Sequence, residues 1–404
     1  MQTPESITRR QDAWSARPVV VFTANTAWNL AHFRAPLLRA LAARDAVLVA
    51  LVPADAAIKK LQDMGCTVAP LPVPAHGRNP WSDVVLFWNY LRLLRRYRPA
   101  VLLSFTVKPN IYGGLAARCL GITQIGNVSG LGTAFIEGGW LGRLVGMLYR
   151  LSLGKARTIF FQNPDDRDFF LQRRLVRVSQ AGLLPGSGVD LRHFAPTANS
   201  STDGQDSIVS QRPFVFLFIG RLLGDKGLLE LVQAFKLLRQ QLIQEAHSAL
   251  PAACLKILGP DGGTNPTAIT SSLLNEWRQD PQLELLGHVE DPRPRIVQAD
   301  CVVLPSYREG TPRSLLEAAA MGKPLITTDV PGCREVVRHG QNGLLCRVKD
   351  PQDLARAMLT MMKLSDAQRQ AMGLASRELA ETVFDENRVV EKYLQAIDFE
   401  SFRR

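Results

Sequence analysis

Four side chains in this sequence could do chemistry together. Glu309 and Glu317 lie eight positions apart in the stretch 306–322, SYREGTPRSLLEAAAMG. Arg221 and Lys226 lie upstream in 220–227, GRLLGDKG. An arginine fork and a lysine point charge suit the oxygens of a diphosphate. Carboxylates are poor phosphate ligands, but they accept charge-assisted hydrogen bonds from sugar hydroxyls. Together the two sets point to a phosphorylated sugar, most simply a sugar nucleotide.

The surrounding elements must aim these groups. Cys301–Leu304 reads as a short, fully buried parallel strand. Thr311 is a good helix N-cap and Pro312 suits the first helical position. Leu315, Leu316, Ala319 and Ala320 give that helix an apolar side. A strand, a loop holding Gly310 and a helix turn the N–H groups of Arg313, Ser314 and Leu315 toward whatever lies beyond the strand, and a phosphate is the natural guest. Phe214–Ile219, Gly220 with its loop, and a helix over 228–238 repeat the arrangement around Arg221 and Lys226.

The pair GRLLGDKG and EGTPRSLLE resembles the donor site of family 4 glycosyltransferases of the GT-B fold. The likeness runs on through GKPLITTDVPGCREVV and an NGLL turn at 342–345, so it spans nearly the whole C-terminal half. TVKPNIYG and NVSGLGTAF in the N-terminal half resemble enzymes that extend lipid-linked oligosaccharides for capsule, exopolysaccharide or glycoprotein assembly. The resemblance implies a retaining, metal-independent hexosyltransferase without cofactor. In it Arg221 and Lys226 stabilise the leaving diphosphate, Glu309 holds hydroxyls of the donor sugar and Glu317 holds the ribose. It also implies that the turn carrying His288 and Val289 reaches the nucleotide base, although His288 could equally be a structural turn residue. The donor would be a UDP-hexose or UDP-N-acetylhexosamine and the acceptor a polyprenyl-pyrophosphate-linked saccharide.

Charge is uneven along the chain. Residues 1–200 hold 24 of the 48 basic residues but only 11 of the 37 acidic ones, so the whole net excess of +11 belongs to this half. That balance calls for an anionic partner: a membrane surface, a pyrophosphate acceptor or nucleic acid. With the resemblance, an anionic membrane surface is expected and nucleic acid is not. Six widely spaced cysteines suggest reduced core residues of a cytosolic protein. No run of ~18 apolar residues occurs, and the first sixteen residues have no signal-peptide character. The expected location is therefore cytoplasmic, peripheral on the inner face of the cell membrane.

Candidate acceptor groups follow the N-terminal strands. After Val19–Thr23 come Asn29, His32 and Arg34, where many family members carry a glycine-rich loop; His32 could also be an ordinary helix-end residue. After Val101–Phe105 come Lys108, assigned to a phosphate, and Asn110; after the strand 124–128 comes Gly130. Two stretches, 81–98 and 138–157, alternate apolar, aromatic and basic residues. The first reads either as a surface helix packed on the sheet or as a helix partly touching lipid; the second reads as an interfacial helix rather than a span, with Trp140 and Tyr149 at headgroup level. Asp166-Arg167-Asp168 reads as a metal-binding triplet or as the acidic first turn of a helix, and the second is preferred, so no metal is expected.

Alternating strands and helices predict an α/β protein of GT-B type, two Rossmann-like domains with a deep interdomain cleft. The expected parts are an acceptor domain over 1–190, a linker over 191–212, a donor domain over 213–384 and a terminal helix over 385–404 crossing back to the first domain. Rival readings are a glycosyltransferase with a soluble acceptor, a sugar-nucleotide 2-epimerase of the same fold, a pyridoxal-phosphate phosphorylase and a non-enzymatic anion-binding module.

Overall fold

The computed structural model describes residues 17–73, 80–130, 139–196, 212–244, 250–263 and 265–399. They divide into two units. One holds the residues up to Ser187 with those from Glu386 onward, and the other is Gly188–Asp385.

The first unit runs β1 (Val19–Thr23), α1 (Ala27–Phe33), α2 (Ala35–Ala42), β2 (Val47–Val52), α3 (Ile58–Asp63), β3 (Thr67–Pro70), α4 (Pro80–Tyr97), β4 (Val101–Phe105), α5 (Gly114–Leu120), β5 (Thr123–Val128), α6 (Gly139–Leu153), β6 (Thr158–Phe161), α7 (Pro164–Gln172) and β7 (Ala181–Leu183). Its strands pair in parallel in the order β3-β2-β1-β4-β5-β6-β7. The runs VVVFT, VLVALV and VLLSF are buried along their whole length, as strands covered on both faces must be. Register sets Val21 beside Leu102, Leu102 beside Gln124 and Gly126 beside Ile159, so these residues share one face. Leu86, Tyr90 and Leu94 of α4 and Tyr149 and Leu153 of α6 cover that face. Phe22, Leu103 and Phe160 form the other, under Leu30 and Leu38 and under the last helix.

The second unit runs β8 (Phe214–Ile219), α8 (Leu228–Gln244), β9 (Ala253–Leu258), α9 (Ser271–Arg278), β10 (Leu283–Gly287), α10 (Arg293–Gln298), β11 (Cys301–Leu304), α11 (Arg313–Ala320), β12 (Leu325–Thr328), β13 (Gly343–Cys346), α12 (Pro351–Lys363) and α13 (Asp366–Val383). Its sheet is parallel in the order β10-β9-β8-β11-β12-β13. The final helix, α14 (Glu386–Ile397), belongs to the first unit, where Tyr393 packs edge-on to Phe160 at 4.9 Å and accepts a 2.9 Å bond from Asn127. Both units are thus Rossmann-like. In each, the strand order reverses at one place, between β1 and β4 and between β8 and β11. Open parallel sheets bind ligands at the strands' carboxyl ends beside such reversals.

Several local expectations are corrected. The chain after β1 forms two helices broken at Arg34, because Pro36 cannot extend a helix through its own nitrogen. The helix after Lys108 opens with one π-helical turn, Pro109–Gly113. The stretch from Gly332 is a run of turns, and Gly332 has a left-handed φ of +87°. The NGLL turn is strand β13. Cys119 is exposed, whereas Cys66, Cys301, Cys333 and Cys346 are buried as expected.

Candidate functional site

The four chemistry-bearing residues of the second unit gather at the β8/β11 reversal. Beyond β8 the chain makes a short turn, Gly224–Lys226, that closes at Gly227 with φ +73°. A Cβ at Gly227 would lie 2.0 Å from the Pro305 carbonyl oxygen, so only glycine lets this turn press against the end of β11. Tyr307 N–H donates to the Asp225 carbonyl at 2.9 Å, which fastens the two loops together. The Tyr307 hydroxyl donates to Glu230 at 2.7 Å from the other side.

The result is a fixed carboxylate. Lys226 Nζ and Ser306 Oγ both donate to Oε1 of Glu309, the serine at 2.7 Å. Ser306 is fully buried, so its hydroxyl has one orientation to offer. The Glu309 backbone is held as well. Its N–H donates to Pro331 at 3.1 Å, and Gly332 packs so closely that a Cβ there would lie 2.4 Å from the Glu309 carbonyl oxygen.

Helix α11 begins one residue later than the sequence suggests. Pro312, expected at the first helical position under a Thr311 cap, is itself the N-cap, with ψ 117°. Leu315 N–H is already given to the Pro312 carbonyl at 3.1 Å, so of the three N–H groups expected to face an anion it is committed within the helix. Arg313 Nε donates to Glu317 at 2.8 Å, one helical turn on. Burial pushes the Glu317 carboxyl above its ordinary range, and the Arg313 guanidinium opposes that shift.

Arg221 is exposed just past the end of β8, and the Gly220 N–H donates to Leu258 at the end of β9. His288 is exposed just beyond β10 at the same edge of the sheet, and Val289 is half-buried against the core. Gly310 and Thr311 form the link from Glu309 to α11. This edge therefore offers a fixed carboxylate, two cations, a helix N-terminus and a second carboxylate. Such a set can hold a diphosphate by its charge and two sugar rings by their hydroxyls.

The first unit treats its candidates unequally. Asn29 N–H caps onto Thr26 at 3.0 Å, and its Oδ1 is buried with no hydrogen-bond partner. His32 accepts the bland reading: Nδ1 lies 2.9 Å from the Trp28 carbonyl and its ring stacks on Trp28 at 4.4 Å. Arg34 is buried with its guanidinium 4.5 Å from the centre of the Phe105 ring. Lys108 is paired with Asp83 at 2.8 Å. Asn110, expected at the acceptor, is instead fully buried; it accepts from Ser104 and donates to the Asn127 carbonyl, both at 2.8 Å. Its side chain holds β4 to β5. Gly130 has φ +152° and open space at its Cβ position. Tyr149 is also corrected, being 1% exposed and packed on Phe170, and the side chain of Trp140 lies outside the described residues. Asp166 sits in the first turn of α7 on the Asn163 cap, and Asp168 takes a 2.9 Å bond from Arg167.

Two residues were missed. Ser306 was given no role although it opens the stretch 306–322, and the fold brings its hydroxyl to Glu309. Thr106, at the end of β4, has a left-handed φ of +69° and a buried Oγ1 without a partner. A strained, unsatisfied non-glycine residue at a sheet reversal marks a site more often than a core. It opens the TVKPNIYG stretch, but its backbone conformation and its buried hydroxyl are visible only in the fold.

Both halves of the chain match known domain families. Residues 30–186 match the family described as Glycosyl transferase 4-like domain, and residues 213–363 match Glycosyl transferases group 1. The Campylobacter jejuni N,N'-diacetylbacillosaminyl-diphospho-undecaprenol alpha-1,3-N-acetylgalactosaminyltransferase is 27% identical, over 93% of this chain and 97% of its own. An Escherichia coli UDP-Gal:alpha-D-GlcNAc-diphosphoundecaprenol alpha-1,3-galactosyltransferase is 26% identical, over 69% and 70%. Among solved structures, Anabaena Alr3699/HepE in complex with UDP and glucose superposes with a TM-score of 0.74 at 17% identity, over 94% of this chain and 99% of that one. The lipopolysaccharide glycosyltransferase WaaG does so at 0.65 and 16%, over 92% and 99%. The chain belongs to the GT-B glycosyltransferases, with a glycosyl transferase 4-like first half and a group 1 second half.

Proposed function

We propose that this glycosyltransferase moves a hexose or N-acetylhexosamine from a UDP-sugar to a saccharide carried on a polyprenyl diphosphate, with retention of configuration and without a metal. The reaction would serve surface-polysaccharide or glycan assembly, at the inner face of the cell membrane. The observation that carries this reading is the Glu309 carboxylate, gripped by Lys226 and Ser306 beside exposed Arg221 at the β8/β11 reversal.

In the reaction the bond between the sugar C1 and the β-phosphate oxygen breaks, and the acceptor hydroxyl forms a new bond to C1 on the same face. The acceptor proton goes to the departing phosphate oxygen. Lys226 and Arg221 take up the charge that grows on the diphosphate, the role a divalent cation fills elsewhere. Lys226 bridges the diphosphate and Glu309, and Glu309, held by Lys226 and Ser306, is already in place for the hydroxyls of the donor sugar. Glu317, at the buried end of its pair with Arg313, receives the ribose hydroxyls. In the first unit Thr106 and Asn29 stand at the β1/β4 reversal as acceptor contacts, and Lys108 reaches an acceptor phosphate by leaving Asp83.

The test is a panel of UDP-, GDP- and TDP-sugars screened for protection against thermal unfolding, followed by transfer to a polyprenyl-diphosphate saccharide. A retained anomeric configuration by NMR and full activity in EDTA are expected. An inverted product, or strict dependence on magnesium or manganese, would overturn the mechanism. Protection only by a non-uridine donor would overturn the choice of nucleotide.

A further inference from the structure

We propose that Tyr307 is a positioning residue of the donor site, which holds the Glu230 carboxylate away from the bound diphosphate and so leaves Lys226 to meet it. This role rests on the diphosphate reading given above. Tyr307 grips the turn that carries Lys226 on both sides of Gly227. Before the glycine, its backbone N–H donates to the Asp225 carbonyl at 2.9 Å. After the glycine, its hydroxyl donates to Oε1 of Glu230 at 2.7 Å. Tyr307 itself follows Ser306 directly and precedes Glu309 by two residues. A third segment closes on the ring. Lys349, in the connection from β13 to α12, sets its Nζ 4.6 Å from the ring centre. Its backbone has a left-handed φ of +57°, which is unfavourable for a lysine. One side chain thus joins the segments that follow β8, β11 and β13.

Glu230 explains what such a clamp is for. It lies in the first turn of α8, three residues beyond Gly227. The N-terminus of a helix that follows a strand at this edge is where a diphosphate is held. A carboxylate there suits the helix dipole. It also repels an anionic ligand and competes for any cation beside it, and Lys226 is only four residues earlier. In the structure this carboxylate is kept occupied. Tyr307 engages Oε1, and Oε2 is buried with no hydrogen-bond partner. A carboxylate oxygen buried and unmatched is unfavourable, and a residue that served the helix dipole alone would sit in water instead. Burial, and then the neighbouring Glu230, push the Tyr307 hydroxyl above its ordinary range, so it stays protonated and remains a donor. The carboxylate that pairs with Lys226 is that of Glu309. Without the Tyr307 hydroxyl, Glu230 would turn out of its pocket as a second, competing one.

UDP is the probe, and its affinity is measured by calorimetry in the wild type, Tyr307→Phe, Glu230→Gln and the double variant. Phenylalanine keeps the ring, the contact with Lys349 and the backbone bond to Asp225, and melting curves confirm that each variant folds. Tyr307→Phe should weaken UDP binding at least fivefold in the wild-type background and less than twofold in the Glu230→Gln background. The amide oxygen of glutamine accepts from Tyr307 as the carboxylate does. A hydrogen bond that served only to fasten α8 would therefore be lost equally in both backgrounds. Equal weakening in both overturns the proposal, as does wild-type affinity in Tyr307→Phe. Lys226→Ala separates this role from the site it rests on. If Lys226→Ala binds UDP as the wild type does, the diphosphate reading fails and the role of Tyr307 falls with it. If Lys226→Ala is weakened while Tyr307→Phe is normal, only the role of Tyr307 is overturned.

Discussion

Lys226 and Glu309, 83 residues apart in the chain, share a hydrogen bond that exists only because two glycines let their loops meet. The pair is largely buried, with the lysine 21% and the carboxylate 13% exposed, so the carboxylate is oriented before any ligand arrives. Orientation of this kind lowers the reorganisation needed at the moment of reaction.

Glu309→Gln should cripple turnover while nucleotide affinity survives, because the amide keeps the shape but cannot accept from sugar hydroxyls with full charge. Calorimetric UDP binding set beside transfer rates checks this, and unchanged turnover would remove Glu309 from the site.

Arg221→Ala and Lys226→Ala should each lower the rate ~10²–10³-fold, the scale of one lost electrostatic donor at a site of developing charge. Lys226→Ala carries a further effect, since it removes the cation that shares Oε1 of Glu309 with Ser306. Single-turnover rates separate these losses from slower product release.

Glu317 makes donor affinity depend on pH. Its carboxyl titrates above the ordinary value of 4.5 because it is buried, so the protonated form is the one folding favours. Its contribution to stability is present below the ordinary value and is lost as pH rises through the raised one. Ribose hydroxyls donate to the ionised form, so UDP affinity should rise with pH through the same window. Glu317→Gln should flatten both trends, as melting curves and UDP titrations from pH 4.5 upward would show.

Gly227→Ala should lower the melting temperature and weaken UDP binding together. A non-glycine residue in this conformation costs ~1–3 kcal/mol before the clash with Pro305 is counted. Gly340→Ala is the control: φ is +76° but nothing lies within 4 Å of its Cβ position. It should lose stability alone, and a Gly227→Ala protein that binds UDP normally would contradict the role of the turn.

Much of this was legible because apolar runs in a parallel sheet announce themselves. Val101–Phe105, Phe214–Ile219 and Cys301–Leu304 stand where the sequence places them. The Glu309–Glu317 spacing and the Arg221–Lys226 loop could be read because each sits on one strand–loop–helix unit. What failed depended on partners distant in sequence. Asn110 looked like a ligand at a sheet edge, and only Ser104 and the Asn127 carbonyl explain its burial. Tyr149 looked amphipathic, yet the ring of Phe170, 5.2 Å away, claims it for the core. Periodicity says which side of a helix is apolar but not which of two apolar stripes the sheet will take.

The arrangement of the units also sets a timetable for synthesis. Asn127 waits for Tyr393 across 266 residues, and the whole second unit is made in between. At ribosomal speed that interval is on the order of tens of seconds. Throughout it the sheet face of Phe105 and Phe160 lacks the helix that will cover it. The second unit, contiguous in sequence, can finish first, while the unit begun earliest is completed last. A nascent chain of this protein therefore exposes an apolar sheet face longest on the first unit, and chaperone capture during translation should concentrate there.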